Sequence, residues 1–152
     1  MATMTPLQYL DTTDSGGADL GAAVSNRRTV ERFIAGAAIV AGDVVMLDVS
    51  QTGAAKVVYV RQAGVVGTGN PLAIGVALEA AAAAGDQLDV VIAGYVEGVN
   101  CSTGAVTAGA AVEAGTTAGE VSDAVAADFP VFGVALTAKA ANKCNLWIYR
   151  KF

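Results

Sequence analysis

The sequence predicts an all-β fold, a small β-barrel or sandwich built from two similar halves, with an extended N-terminal arm. Three observations carry this. From Phe33 onward the chain is a series of short apolar runs, IVAGDVVMLDV, KVVYVRQA, LAIGVAL and LDVVIAGYVEGV, each bounded by Gly, Asp, Asn or Pro. Val- and Ile-rich runs of about 4 to 8 residues punctuated by turn residues mark sandwiches and barrels. Next, GVALEAAAAAGDQLDVVI at 75–92 aligns without gaps on GVALTAKAANKCNLWIYR at 133–150, an offset of 58. Finally, 54% of the chain is hydrophobic, but 32 of its 152 residues are alanine and only 9 are Phe, Trp or Tyr. Side chains that reach so short a way inward suit a small barrel.

The first element is the arm, residues 1–30, MATMTPLQYLDTTDSGGADLGAAVSNRRTV. It has neither a helical nor a strand period and too little apolar surface to fold alone. It either stays a disordered tail or becomes ordered on a partner. In the second case Leu7, Tyr9 and Leu10 are its apolar anchors, and Arg27 and Arg28 supply guanidinium forks that match carboxylates.

Residues 31–152 form the β domain, with an internal repeat over about 39–99 and 105–152. Val40-Ala41-Gly42-Asp43-Val44-Val45 recurs as Thr107-Ala108-Gly109-Ala110-Ala111-Val112 at an offset of 67. The first half therefore carries about nine extra residues, which the sequence places in the Gly-rich loop RQAGVVGTGNP. Each unit reads as strand, turn, strand, loop, strand with GVAL, alanine-lined link, strand, and each is completed by the other.

The alanine run Ala80–Ala84 is too short to nucleate a helix in water. Gly85-Asp86 would stop one, and the second copy has Asn142 and Asn145 there, which favour turns. A tight connection of at most one helical turn is expected. After it, Leu88, Val90 and Ile92 alternate with Asp89, Val91 and Ala93, as in a strand with one face inward. The last element holds Trp147, Tyr149, Arg150, Lys151 and Phe152. It either closes the barrel or turns an aromatic ring outward as an interface anchor.

Charged residues are 15% of the chain, with a net charge of −5, so no basic stripe exists to track nucleic acid. The apolar run Pro71–Ala84 is interrupted by Glu79 and too short for a membrane helix, and MATMTPLQYLDTTD lacks the basic start and apolar core of a secretory signal. Synthesis in a cytoplasm is expected, with neither nucleic acid nor membrane as partner. The chain has no histidine, which removes the usual general base and the Ser-His and Cys-His nucleophile pairs. GVVGTGNP lacks the Lys-Ser/Thr of a phosphate-binding loop. Asp43, Asp48, Asp86, Asp89 and Glu97 fall in turns and outward strand positions, where solvated acids are ordinary, and no DxDxDG loop appears. Cys101 and Cys144 have no CxxC spacing and read as reduced thiols in preference to a disulfide. No catalytic residue, cofactor or metal is expected, and the chain is not read as an enzyme.

The pattern VAGDVVMLD, then IGVA, an alanine-rich link, GD, a VVI strand and GYVEGV, preceded by a polar arm, resembles the capsid cement (decoration) proteins of tailed bacteriophages. The likeness covers about Ile39 to Val99, and the second copy extends it to the end. It implies a structural virion protein on the outer capsid surface that stabilises the shell by bridging neighbouring major capsid subunits. It further implies a homo-oligomer, a trimer in preference to a dimer. The contact residues would be Leu7, Tyr9, Leu10, Arg27, Arg28, Trp147 and Tyr149. The internal duplication departs from one-copy members of that family and leaves topology and copy number open. A phage tail or fibre component or a carbohydrate-binding module is the alternative. A lipoyl-type carrier would need an acidic partner beside Lys139, which LTAKAA lacks.

Overall fold

The computed structural model describes residues 28–64, 72–101, 103, 105–124 and 131–149. These form strands β1 (Arg28–Ala35), β2 (Val44–Leu47), β3 (Tyr59–Gln62), β4 (Ala73–Ala77), β5 (Gln87–Asn100), β6 (Ala111–Ala114), β7 (Val121–Asp123), β8 (Gly133–Ala135) and β9 (Lys143–Ile148), with a short 3-10 helix at Gly53–Val57. The sheet order is β1-β3-β2-β4-β5-β9-β8-β6-β7, and β1 also pairs antiparallel with β5. That pairing closes β1, β3, β2, β4 and β5 into a five-stranded barrel. The C-terminal strand, expected as a candidate for closing the barrel, does something else: β9 pairs with the second half of β5, outside the closed ring.

Strand β1 begins at Arg28, inside the segment read as the arm, so Arg28–Val30 already pair with β5. Residues 1–27 lie outside the described residues, and with them Leu7, Tyr9, Leu10 and Arg27. So do most of RQAGVVGTGNP and the terminal Arg150, Lys151 and Phe152.

The alanine run is not helical. Ala81 forms an isolated bridge with Ile39, and the Asp86 carboxylate accepts the Ala83 amide at 3.0 Å to shape the turn at Gly85. In the second copy Ala141 and Asn142 both have positive φ between the mutually bonded Ala140 and Lys143. This is the backbone of a two-residue hairpin, for which Asn is well suited.

The two halves share a hydrogen-bond pattern. Gly42 N donates to Ala77 O at 2.8 Å, and Gly109 N to Ala135 O at 2.7 Å. Ala77 N donates to Asp43 O, as Ala135 N does to Ala110 O, both at 2.9 Å. Leu78 N to Asp89 O corresponds to Leu136 N to Asn145 O, and Ala35 N to Asp86 O corresponds to Cys101 N to Asn142 O. The pairings correct two details of the sequence alignment. The offset falls from 67 at Val45/Val112 to 61 at Val60/Val121 and 58 at Gly75/Gly133, so six extra residues lie between β2 and β3 and only three in the Gly-rich loop. The 3-10 helix occupies part of the former. Then Ala77 pairs with Val90 while Ala135 pairs with Leu146, an offset of 56 for the last strand. The second link is thus two residues shorter. A slip of two preserves the faces of a strand, so alternation could not reveal it.

The pairings also show where the duplication begins. Phe33 and Ile34 of β1 pair with Leu88 and Gln87, as Val99 and Asn100 of β5 pair with Cys144 and Lys143. The second half of β5 therefore occupies in the second unit the place β1 holds in the first, and TVERF (29–33) aligns on YVEGV (95–99). One 14-residue strand ends the first unit and begins the second.

The second unit does not close on itself. In the first, Ile34 N donates to Val58 O at 2.9 Å between β1 and the start of β3. The equivalent positions are Asn100 and Gly119, and the segment Gly42–Val44 of the first unit sits between them. Asn100 N donates to Gly42 O at 2.9 Å, and Val44 N donates to Gly119 O at 2.7 Å. Within this seam the buried Asp43 carboxylate accepts from Val40 N (2.8 Å), Gln62 Nε2 (2.7 Å) and Asn100 Nδ2 (2.7 Å). Lys143 Nζ donates to Asn100 Oδ1. Gly119, with φ +78, leaves no room for a side chain, since a Cβ would lie 2.8 Å from Asp43 Cγ.

Packing follows from this insertion. One core cluster, with Phe33, Ile39, Val45, Val60, Leu88 and Val90, fills the closed barrel. The other joins the inner face of the second unit (Val112, Phe132, Leu146, Ile148) to the outer face of the first (Val44, Met46, Val76, Val91). Strands β2 and β4 and the Val90–Val91 step of β5 are thereby covered on both faces, which is why VVM and AIGVA carry no polar alternation. An extra residue in β4, Ile74, opposite the Val45/Met46 step, reorients the strand between the two cores. Cys101 and Cys144 are buried free thiols in the second core, and burial first, then the neighbouring Cys101, pushes Cys144 up to about 12.

Two substitutions test this arrangement. A Cβ on Gly75 would lie 2.1 Å from Val91 O, and one on Gly133 2.5 Å from Trp147 O. Gly75→Ala should therefore cost about 3 kcal/mol or more in urea denaturation; a cost below about 1 kcal/mol would refute the close approach. Asp43→Ala leaves three donors without their acceptor, and a loss of about 1–3 kcal/mol is expected. Equal stability of variant and parent would show that the carboxylate is dispensable to the seam.

Candidate functional site

The part of the folded body best suited to binding is the outward face of β5, β9 and β8. The registers Tyr95↔Trp147, Trp147↔Val134 and Val134↔Ala111 align these four residues in one row across β5, β9, β8 and β6. Alternation sets their direction: Leu146 and Ile148 point into the core, which turns Trp147 outward at 38% exposure, with Tyr149 beyond it at 48%. Leu136, just past β8, is 46% exposed. The sequence-predicted pair Trp147 and Tyr149 is thus brought together with Tyr95, Val134 and Leu136.

Polar groups hold this face in place. The Tyr95 hydroxyl donates to Glu97 Oε1 at 2.9 Å and accepts from Asn145 Nδ2 at 3.1 Å. Asn145 Oδ1 accepts the Gly98 amide at 3.2 Å, its own N–H donates to Thr137 Oγ1 at 2.9 Å, and Tyr149 N donates to Phe132 O at 2.9 Å. Burial, and then the Glu97 carboxylate, raise the Tyr95 phenol above its ordinary value, so it remains a neutral donor at physiological pH. A ring such as Tyr95, whose polar end is already satisfied, buries area at little cost in conformational entropy. The face is chemically suited to association and carries no nucleophile–base pair.

Arg28 lies beside this row. It pairs with Gly94 of β5, which pairs on its other edge with Ile148 of β9. Two strand spacings put it about 10 Å from β9.

The five carboxylates considered from sequence are dispersed. Asp43 is in the seam, Asp86 in the β4–β5 turn, Glu97 bonded to Tyr95, and Asp89 paired with Arg32 at 2.8 Å on the barrel exterior. Arg32 holds Asp89 below the usual carboxylate range, though such an exposed pair contributes little to stability. Asp48 is buried and accepts from Gln51 Nε2 (2.9 Å), Ser50 Oγ (2.6 Å) and Ser50 N (3.1 Å), with Arg61 Nε at 3.8 Å. Among the described residues no three His, Cys, Asp or Glu side chains gather into a metal-binding group.

Sequence reasoning missed Tyr95, Val134 and Leu136, because strand pairing assembles the row and no local motif announces it. It also missed Val49, Val57 and Val58, exposed along the β2–β3 connection, whose valines in a turn-rich stretch were the available signal.

Asp48 yields a pH prediction. Its hydrogen bonds, Gln51 first and then Ser50, outweigh burial and lower its folded-state pKa. The stabilisation is complete above the unfolded value of about 3.9 and is lost as pH falls below it toward the folded value. Asp48→Asn should cost about 1–3 kcal/mol at pH 7, with the gap to the parent narrowing below about pH 4 in urea denaturation series. Parallel pH profiles would refute it.

Comparison with known proteins places this arrangement. The chain is similar in fold to the N-terminal base of the head fibre protein gp8.5 of bacteriophage phi29, with a TM-score of 0.54 at 16% identity, over 80% of this chain and 94% of that one. No curated protein matches it. The sequence model of the phage cement proteins matches residues 24–148, which takes in both five-stranded units and the aromatic row. This chain belongs to the phage cement protein family and is a structural protein of the phage virion.

Proposed function

We propose that the protein attaches to the outer surface of a phage capsid and stabilises the shell by bridging neighbouring major capsid subunits. The family match over residues 24–148 carries this reading. The arm supplies one part of the attachment. Leu7, Tyr9 and Leu10 insert as apolar anchors, while Arg27 and Arg28 pair with capsid carboxylates. Arg28 enters the fold about 10 Å from β9, so the arm starts close to the strand that carries Trp147. The face holding Trp147 and Tyr149 meets a partner of the folded body. Assembly as a trimer or dimer multiplies weak contacts over the repeated sites of a shell.

A second reading has one observation in its favour. The fold likeness to the base of the phi29 head fibre supports a role as the seat of a projecting fibre. Electron microscopy of virions labelled at the C-terminus distinguishes the two, since a fibre seat would show density extending outward from the label.

Purified protein is expected to bind expanded empty capsids of its own phage and to raise the temperature at which they rupture. Failure to bind any such shell would overturn the proposal. Deleting residues 1–27 should leave the circular dichroism spectrum of the β domain intact and weaken capsid binding by at least about tenfold, which corresponds to 1.4 kcal/mol. A deletion variant that decorates as well as the full chain would remove the arm from the mechanism.

A further inference from the structure

The seam between the two units brings three reactive groups onto one carbon atom. Asn100 of β5 and Lys143 of β9 are direct partners across their antiparallel pair. The lysine amine donates to the side-chain carbonyl oxygen of Asn100, Oδ1. The amide nitrogen points the other way, donating to Asp43 Oδ1 at 2.7 Å and to Ala41 O at 3.3 Å. Both of those partners are acceptors and the lysine is a donor, so the carboxamide takes one orientation, carbonyl toward the amine and NH2 toward the carboxylate. Asn100 is held by its own N–H, bonded to Gly42 O at 2.9 Å, and Asp43 is buried. The amine is closely packed as well, since a Cβ on Gly42 would lie 3.2 Å from Lys143 Nζ. In the first unit the corresponding pair is Ile34 and Gln87, which holds no amine. The arrangement is therefore specific to the second unit, the one that does not close on itself.

The geometry points to an intramolecular isopeptide bond between Lys143 Nζ and Asn100 Cγ, formed after folding with Asp43 as the proton carrier. Nζ is hydrogen-bonded to the oxygen of the carbonyl it attacks, so it is held beside Cγ as a near-attack conformer requires. Lys143 is exposed, and its amine can give up a proton to water before the attack. The uncharged amine then adds to Cγ, the Nζ–Cγ bond forms and the Cγ–Nδ2 bond breaks. In the tetrahedral intermediate both nitrogens are bonded to Cγ, so the Asp43 oxygen beside Nδ2 serves both: it takes one proton from Nζ and delivers it to Nδ2, which leaves as ammonia. The exchange replaces one amide by another and needs no oxidant or reductant. Dilution of the released ammonia into bulk solvent draws it forward. The bond closes a covalent ring from Asn100 through β6, β7 and β8 to Lys143, which gives the second unit the closure its strands lack. Such a ring restricts the unfolded chain as a disulfide does.

Mass spectrometry reads the bond directly and independently of shell binding. The full-length protein is aged in mildly alkaline buffer, unfolded and weighed, with the initiator methionine allowed for. Its mass should fall below that of the sequence by one molecule of ammonia, and digestion should release a branched peptide that joins the segments holding Asn100 and Lys143. Lys143→Arg keeps the positive charge but has no nucleophilic amine, and should retain the full mass. Asp43→Asn, with its fold checked by circular dichroism, should lower the cross-linked fraction at least about tenfold at equal times. An unchanged fraction in that variant overturns the role given to Asp43. An aged parent protein at full sequence mass overturns the bond itself, whatever the variants do. So does ammonia loss that persists in Lys143→Arg, which would mark a succinimide at an asparagine.

Discussion

The structure depends on the insertion of Gly42–Val44 between Asn100 and Gly119. A five-stranded unit closes on itself in the first half through the bond between Ile34 and Val58. In the second half the same seam is held open by the first unit, and its edge groups bond to Gly42 O and Val44 N instead. A buried carboxylate at the centre makes the insertion specific. Asp43 gathers donors from its own turn, from Gln62 and from Asn100, so the two halves agree on one relative position or leave charged and polar groups unpartnered. The cost of leaving such groups unmet is what turns an apolar contact between two β units into a fixed one.

From that seam the rest follows. Because the first unit plugs the second, Val44, Met46, Val76 and Val91 are interior even though they face out of the barrel. Because one strand serves both units, β9 is laid alongside β5 in the register that brings Trp147 opposite Tyr95. The aromatic row is therefore a by-product of the duplication, and Arg28, the first described residue, lies beside it for the same reason. The described residues offer a body locked by hydrogen-bonded carboxylates such as Asp43 and Asp48, with buried thiols and with Trp147 and Tyr149 exposed on one face.

Much of this was legible in the sequence. The Val-rich runs and their spacing determined an all-β fold, because a residue that must sit on a pleated, half-buried surface is chosen for that surface. The repeated GVAL and the paired Gly42 and Gly109 turns determined two similar halves. The turn residues after Ala84, and Asn142 in the second copy, ruled out a helix at the alanine run. The resemblance carried by VAGDVVMLD and GYVEGV pointed to the family that the comparison then showed. The sequence offered Trp147 as an outward-facing ring of the last strand, and it is partly exposed in the fold.

What only the tertiary structure decided are the properties that depend on pairing at a distance. Strand periodicity has a period of two, so it could not detect that β9 is offset by 56 and not 58 from β5. Alternation gives two faces but not what covers them, so Val91 and Trp147, equivalent by position, differ in burial. Which strand closes the barrel is likewise a matter of which edge β5 offers first. β1 takes one edge and closes the barrel, and β9 takes the second half of the opposite edge, beyond β4. A sequence specifies what each strand is able to bury; only the folded chain specifies against what.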